Sequence, residues 1–231
     1  MADQLFKKRK NTRVERESAK KKMLSEKWLF VCEGSCTEPN YIESLIRFAN
    51  AKTESTKLFY RIEGNGRNTI SLVKSVDDLL SEIESFKIKS DIPYGQVFVL
   101  FDKDSFGEDN FDNAIRMASA RGYLPIWSNE CFELWFILHY EYLNADTGRK
   151  SYFKKLNEHL GVINYEDEKA IDVFSIIHSR KRIMDALRNA EKLNETFCHE
   201  PSYSKRVPCT QMFVLIRAFE KRLKIDFSSI D

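Results

Sequence analysis

Four short apolar runs punctuate the first half of the chain, and each stops abruptly at polar or charged residues. Residues 28–32 (WLFVC) end on Glu33-Gly34, 58–62 (LFYRI) on Glu63-Gly64, 97–101 (VFVLF) on Asp102-Lys103-Asp104, and 123–127 (YLPIW) on Ser128-Asn129. Continuous apolar runs of this length, without polar alternation, predict strands covered on both faces, as in a parallel sheet. Pro125 weakens the fourth run and places it nearer an edge. Between the runs the apolar spacing changes to three and four residues. Tyr41, Leu45, Ile46 and Phe48 predict a helix from about Glu38-Pro39 to Asn50, capped by Ser35 or Thr37, with Pro39 favourable just inside its start. Ile70, Val73, Val76, Leu79, Leu80 and Ile83 predict a second over 69–86. A third is expected over 109–120, ended by Gly122, and a fourth over 130–140, capped by Ser128 or Asn129. Strand and helix alternate four times, so the fold class is α/β: a mainly parallel sheet of about four strands flanked by helices.

Beyond Asn144 the strand signals fade. Helical spacing predicts elements over 152–160, 172–193 and 208–223, a helical C-terminal region (144–231) packed on an α/β core (27–143). No repeat and no Gly/Ser/Pro-rich linker divides the chain.

Composition sharpens this picture at one end. The 231 residues carry 37 basic and 35 acidic side chains, a balance that marks no polyanion binder as a whole. Residues 1–22, however, hold nine Lys or Arg against three acids. Residues 1–26 are expected to be a solvated, disordered tail, or else an arm whose Lys7, Lys8, Arg9 and Lys10 neutralise nucleic-acid phosphates. No apolar run is long enough to cross a membrane and no signal-peptide core follows the basic start, so a cytoplasmic protein is expected. Five cysteines without paired CxxC spacing fit reduced thiols. Cys32 and Cys36 invite a zinc reading, but no second ligand pair has matching spacing.

The candidate chemistry is acidic. In open α/β sheets, ligands bind beyond the carboxyl ends of the strands, where Glu33 and the Asp102-x-Asp104 pair are expected to converge. Residues two apart in an extended segment point to one side, leaving Lys103 to face away as a structural or phosphate-contacting charge. Carboxylates so gathered call for a hard cation, and Mg²⁺ is held by a few of them together with water and substrate phosphates. Each has a plain alternative, a turn carboxylate for Glu33 and a helix cap for the Asp pair. Glu133 is a further candidate near Asp102, or an exposed helix acid. Glu38 belongs to the site or only favours its helix N-terminus. Arg67, in the glycine-containing loop after the second run, is either an anion contact or part of a plain turn. His139 is out of phase with Glu133 and is expected to be packed. His159, His178 and His199 have no ligand spacing.

Glu at the end of a first strand followed by Asp-x-Asp at a later one resembles the Toprim domain of topoisomerases, primases and OLD-type nucleases. The words CEGSCTEPNYIESL, FDKDSF, SNECFELWFILHY and VPCTQMFVLI resemble the RloB family, a Toprim-like group associated with prokaryotic antiphage defence, over residues 28–224. The resemblance implies an Mg²⁺- or Mn²⁺-dependent nuclease acting on DNA or RNA. Asp102 and Asp104 would be its principal ligands, Glu33 a ligand or general base, and Glu133 the completion of a second site. It also implies an AAA-type ATPase partner; the chain itself carries no Walker A motif, so any ATP-driven step needs another protein. No tyrosine stands out as a topoisomerase nucleophile. A second class remains open: a non-catalytic nucleic-acid-binding or regulatory subunit that keeps the fold without turnover.

Overall fold

The computed structural model describes residues 27–53, 58–64, 69–85, 94–104, 107–168, 171–179 and 182–229. The strands are β1 (Lys27–Cys32), β2 (Phe59–Gly64), β3 (Tyr94–Asp102), β4 (Leu124–Asn129) and β5 (Cys209–Thr210), in sheet order β2-β1-β3-β4-β5. The first four pair in parallel and β5 joins β4 antiparallel. The α/β class and the mainly parallel sheet agree with the sequence, but among the described residues the sheet has five strands. The extra one comes from residues 209–210, which the spacing assigns to a helix. Two residues are too short to carry a period.

β1 and β3 are central, which is why their apolar runs do not alternate. Trp28, Phe30, Cys32, Phe98 and Leu100 enter one core layer, while Leu29, Val31, Val97, Val99 and Phe101 enter the other. The second layer is closed by α2 (Thr69–Ser85) and α3 (Glu108–Ala120), through Leu72, Val73, Val76, Phe111, Ala114 and Ala118. The first is larger. There α1 (Thr37–Lys52) packs with α4 (Glu133–Ile137), α5 (Arg149–Leu160), α6 (Val173–Ser179), α7 (Ile183–Thr196) and α8 (Met212–Leu223). Phe219 of α8 sits 5.2 Å from Trp28, and Phe30 stacks on Phe98 at 5.0 Å. Such ring pairs add about 0.5–1.5 kcal/mol each beyond area burial, so α8 is fastened to the sheet itself.

Several local expectations change. The edge strand β2 is half open, with Phe59 50 % exposed. Pro125 is tolerated because β5 pairs only with Ser128 and Asn129, further along β4. Those two residues are strand, not caps, and the helix after them is the short α4, which starts at Glu133 with Phe132 before it. Cys36, not Ser35 or Thr37, precedes α1, without a side-chain cap. The single helix expected over 172–193 is two, α6 and α7, and Arg182 ahead of the second is non-helical (φ −122°, ψ 10°). No described helix is long and apolar enough to cross a membrane.

Candidate active site

The carboxyl ends of β1, β3 and β4 lie side by side, and the chain leaves each through a hydrogen-bonded step. At the end of β1 the Glu33 amide donates to the Leu100 carbonyl at 2.9 Å, and Glu33 Oε2 accepts from the Asp102 amide at 3.0 Å. After β3 the Lys103 amide donates to the Ser128 carbonyl at 2.9 Å, and the Asp104 amide to the Glu130 carbonyl at 3.0 Å. Asp104 therefore does not continue an extended strand. Its φ is +39°, a left-handed turn that Asp adopts more readily than most residues. Asp102 and Asp104 are thus not related by strand alternation, although both residues reach the same cleft. Beyond β4 the turn at Cys131-Phe132 delivers Glu133 as the first residue of α4, 2 % exposed rather than on an open helix face.

These ends enclose a cleft of about 290 Å³ lined by Glu33, Glu38, Asp102, Asp104 and Glu133, with Arg149 opposite and residues 34–37 and Phe132 completing the wall. All four acids singled out from the sequence are brought together there. Glu38 joins them. Its carboxylate folds back over Gly34 so closely that a Cβ at residue 34 would lie 2.2 Å from Oε2. A Cβ at Gly64 would lie 2.9 Å from the Gly34 carbonyl oxygen and 3.0 Å from the Ser35 Cα, so close approach of backbone requires glycine at 64, whereas at 34 the flexible end of Glu38 could give way. Lys103 does not line the cleft. Lys7, Lys8, Arg9, Lys10 and Arg67 lie outside the described residues. His139 is fully buried, with Nδ1 2.8 Å from the Trp135 carbonyl oxygen, and burial pushes it down to about 3.

Arg149 is the residue that sequence reasoning missed. It opens α5, its amide donates to Glu130 Oε2 at 2.9 Å, and its Nη1 meets Asp104 Oδ1 at 2.5 Å. Forty-five positions separate it from Asp104, and only Gly148, which turns the chain into α5 at φ +74°, hints at a special start. The two side chains are 38 % and 30 % exposed. An ion pair so open to solvent contributes on the order of 1 kcal/mol or less, so the contact is easily exchanged.

Like charges and burial set the electrostatics. Burial, then Asp104 and Glu38, push the Glu33 carboxyl up to about 7, against the opposing Asp102 amide and Arg149. Burial, then Glu38, Glu133 and Asp104, hold Asp102 well above the usual carboxylate range, with the Phe132 backbone opposing. For Arg149, burial opposes the charge, yet Asp104 and Glu133 raise its pKa above the ordinary arginine value. Five carboxylates facing one guanidinium are short of positive charge. The donor chemistry therefore suits a hard divalent cation. Among the described residues, however, no group of three or more His, Cys, Asp or Glu is arranged to hold one as it stands. Glu33 is turned to a backbone amide and Asp104 to Arg149.

The sequence matches the family model of RloB-like proteins over residues 28–219, a span that contains every acid of the cleft. The chain belongs to the RloB-like family. No curated protein and no solved structure gives a match.

Proposed function

We propose that this RloB-like protein is a metal-dependent phosphodiesterase that hydrolyses DNA or RNA, as its resemblance to Toprim-like nucleases implies. The observation that carries this reading is the cleft itself: five carboxylates gathered at the ends of three parallel-sheet strands with a single guanidinium among them. A fold gains nothing from holding like charges together, whereas a cation site requires it. Asp102, Asp104 and Glu133 would hold the ion, with Glu38 beside them and Glu33 as a further ligand or as the general base. Mg²⁺ or Mn²⁺ bound there would supply Lewis-acid activation of water and charge stabilisation at the phosphate. In the second role the Glu33 carboxyl, pushed up to about 7 by burial and its acidic neighbours where no cation lies against it, would take a proton from water near neutral pH. Antiphage defence, a cytoplasmic location and control by a partner AAA-type ATPase belong to the same proposal.

A second reading, a binding or regulatory subunit without turnover, is favoured by the Asp104–Arg149 pair, which holds one of the acids away from an ion. Incubating the purified protein with DNA, total RNA and tRNA in Mg²⁺ or Mn²⁺, beside an Asp104→Ala control, separates the two. Cleavage by wild type alone supports the hydrolase. Metal-stabilised protein that binds nucleic acid and leaves it intact supports the subunit.

A further inference from the structure

We propose that Arg149 is the phosphate-positioning residue of the cleft, parked on Asp104 in the resting protein and transferred to a phosphate oxygen of the nucleic acid as substrate enters. The inference rests on the hydrolase reading and assigns the group that receives the polyanion. An acidic cleft repels nucleic acid unless it offers a cation of its own. Among the described residues that line it, Arg149 is the only cation.

Three features separate Arg149 from a purely structural counter-charge. Its backbone is fixed independently of its guanidinium, by the hydrogen bond its amide donates to Glu130 Oε2 and by the first turn of α5, where the Ser151 amide donates to the Gly148 carbonyl at 3.0 Å. Its side chain is 38 % exposed, so an anion in the cleft can reach it. Its guanidinium also lies over the Phe153 ring, 5.4 Å from the centroid, which supports the planar fork without consuming donors. A guanidinium carries five N–H donors in a geometry that matches two phosphate oxygens. Asp104 engages it through Nη1.

The exchange balances charge without any covalent step. Asp104 gives up one cationic partner, and the guanidinium exchanges a carboxylate oxygen for a phosphate oxygen. Asp104 sits in a turn at the strand end and not in the ladder of β3, so its side chain can swing without breaking strand pairing.

The test is binding of labelled duplex and single-stranded oligonucleotides to the full chain in EDTA across a salt series. Wild type, Arg149→Gln, Asp104→Asn and the double variant are compared, each with its melting temperature. A residue that neutralises one phosphate contributes about 0.9 to the slope of log K against log salt on duplex DNA and about 0.7 on a single strand. Arg149→Gln is expected to lose that increment and to bind more weakly. Asp104→Asn, which frees the guanidinium and removes a repelling charge, is expected to bind more tightly than wild type. The double variant should lose the slope increment relative to Asp104→Asn. This second comparison stands even if Arg149→Gln alone fails to fold, because the double variant leaves no carboxylate stripped of its partner. An unchanged slope in both comparisons, with wild type binding and gaining stability from Mg²⁺, overturns the role of Arg149 alone. If wild type neither binds any oligonucleotide nor responds to Mg²⁺, the hydrolase reading falls and this inference with it.

Discussion

Asp102 and Asp112 are both buried aspartates attached to the same sheet, yet their surroundings are opposite. Asp112, on α3, is 5 % exposed and is ringed by donors: the Ser204 amide at 2.7 Å, the Ser202 hydroxyl at 2.8 Å and Arg116 at 3.6 Å. Ser204 in turn offers its carbonyl to the Asn129 amide group at 2.9 Å, so this node ties the segment before β5 to both α3 and β4. Asp102, at 9 %, is crowded by Glu38, Glu133 and Asp104, with only the Phe132 backbone and the charge of Arg149 opposing them. A carboxylate that serves the fold is surrounded by hydrogen-bond donors, because burying it otherwise costs several kcal/mol. One surrounded by other carboxylates costs the fold stability, and its retention points to a ligand that arrives from outside.

The widest separation between the two is expected in activity. Asp102→Asn and Asp104→Asn keep size and hydrogen-bonding capacity while removing a charge. Cleavage in Mg²⁺ should fall by about 10²-fold or more, beyond the 10–100-fold typical of groups behind a metal ligand. The metal-free melting temperature should hold or rise, since repulsion is relieved and Asn accepts the left-handed turn at residue 104. Asp112→Ala should do the reverse. Leaving the Ser204 amide without its acceptor costs about 1–3 kcal/mol, read as a lower urea midpoint, with cleavage per folded molecule unchanged, while the Ser202 hydroxyl keeps the Ser204 hydroxyl at 2.8 Å. An Asp104→Asn variant that cuts at the wild-type rate would remove Asp104 from the site.

Next in size is the response to cation. At a hundred times its dissociation constant a ligand stabilises the native state by about 2.7 kcal/mol, equivalent to about 5–10 °C for a chain of this length. Mg²⁺ or Mn²⁺ should produce such a rise in wild type and in Asp112→Ala. Asp102→Ala should lose most of it. Equal shifts in wild type and Asp102→Ala would place the cation elsewhere.

The central strands and the acids at their ends were legible because both are local. An apolar run stopping at Glu33 or at Asp102 is written in a few consecutive residues, and topology alone then brings those ends together. Three things were not. β5 is a strand of two residues, made by pairing with Ser128 and Asn129 and not by its own pattern. The helix expected over 130–140 shrinks to α4 because the strand before it extends to Asn129, where the Ser204 carbonyl and β5 hold it. Arg149 reaches the cleft from another element altogether. A cation whose partner lies forty-five residues away leaves no spacing to find. The fold of Glu38 back over Gly34 is likewise a contact in space that helix-dipole reasoning leaves undecided.

The smallest expected effect is on the pH dependence of stability, and its sign tests the electrostatics of the cleft. Glu33 is held at about 7 in the folded protein against an ordinary value of 4.5, chiefly by burial and then by its acidic neighbours. Between those two values the native state binds more proton than the unfolded chain, so stability falls as pH rises through the window. The contribution is fully present below about 4.5 and gone above about 7. Asp102, shifted in the same direction, adds to the slope. Other titrating groups act on wild type and variant alike, so the quantity to measure is the difference between wild type and Glu33→Gln in EDTA, by urea unfolding from pH 5 to 8. Wild type should lose stability relative to the variant as pH increases. With saturating Mg²⁺ the difference should flatten, because a bound cation favours the ionised carboxylate and draws its pKa back down. A difference that rises with pH would mean that Glu33 is stabilised as an anion by donors. A slope that Mg²⁺ leaves untouched would mean that the cation does not sit beside Glu33.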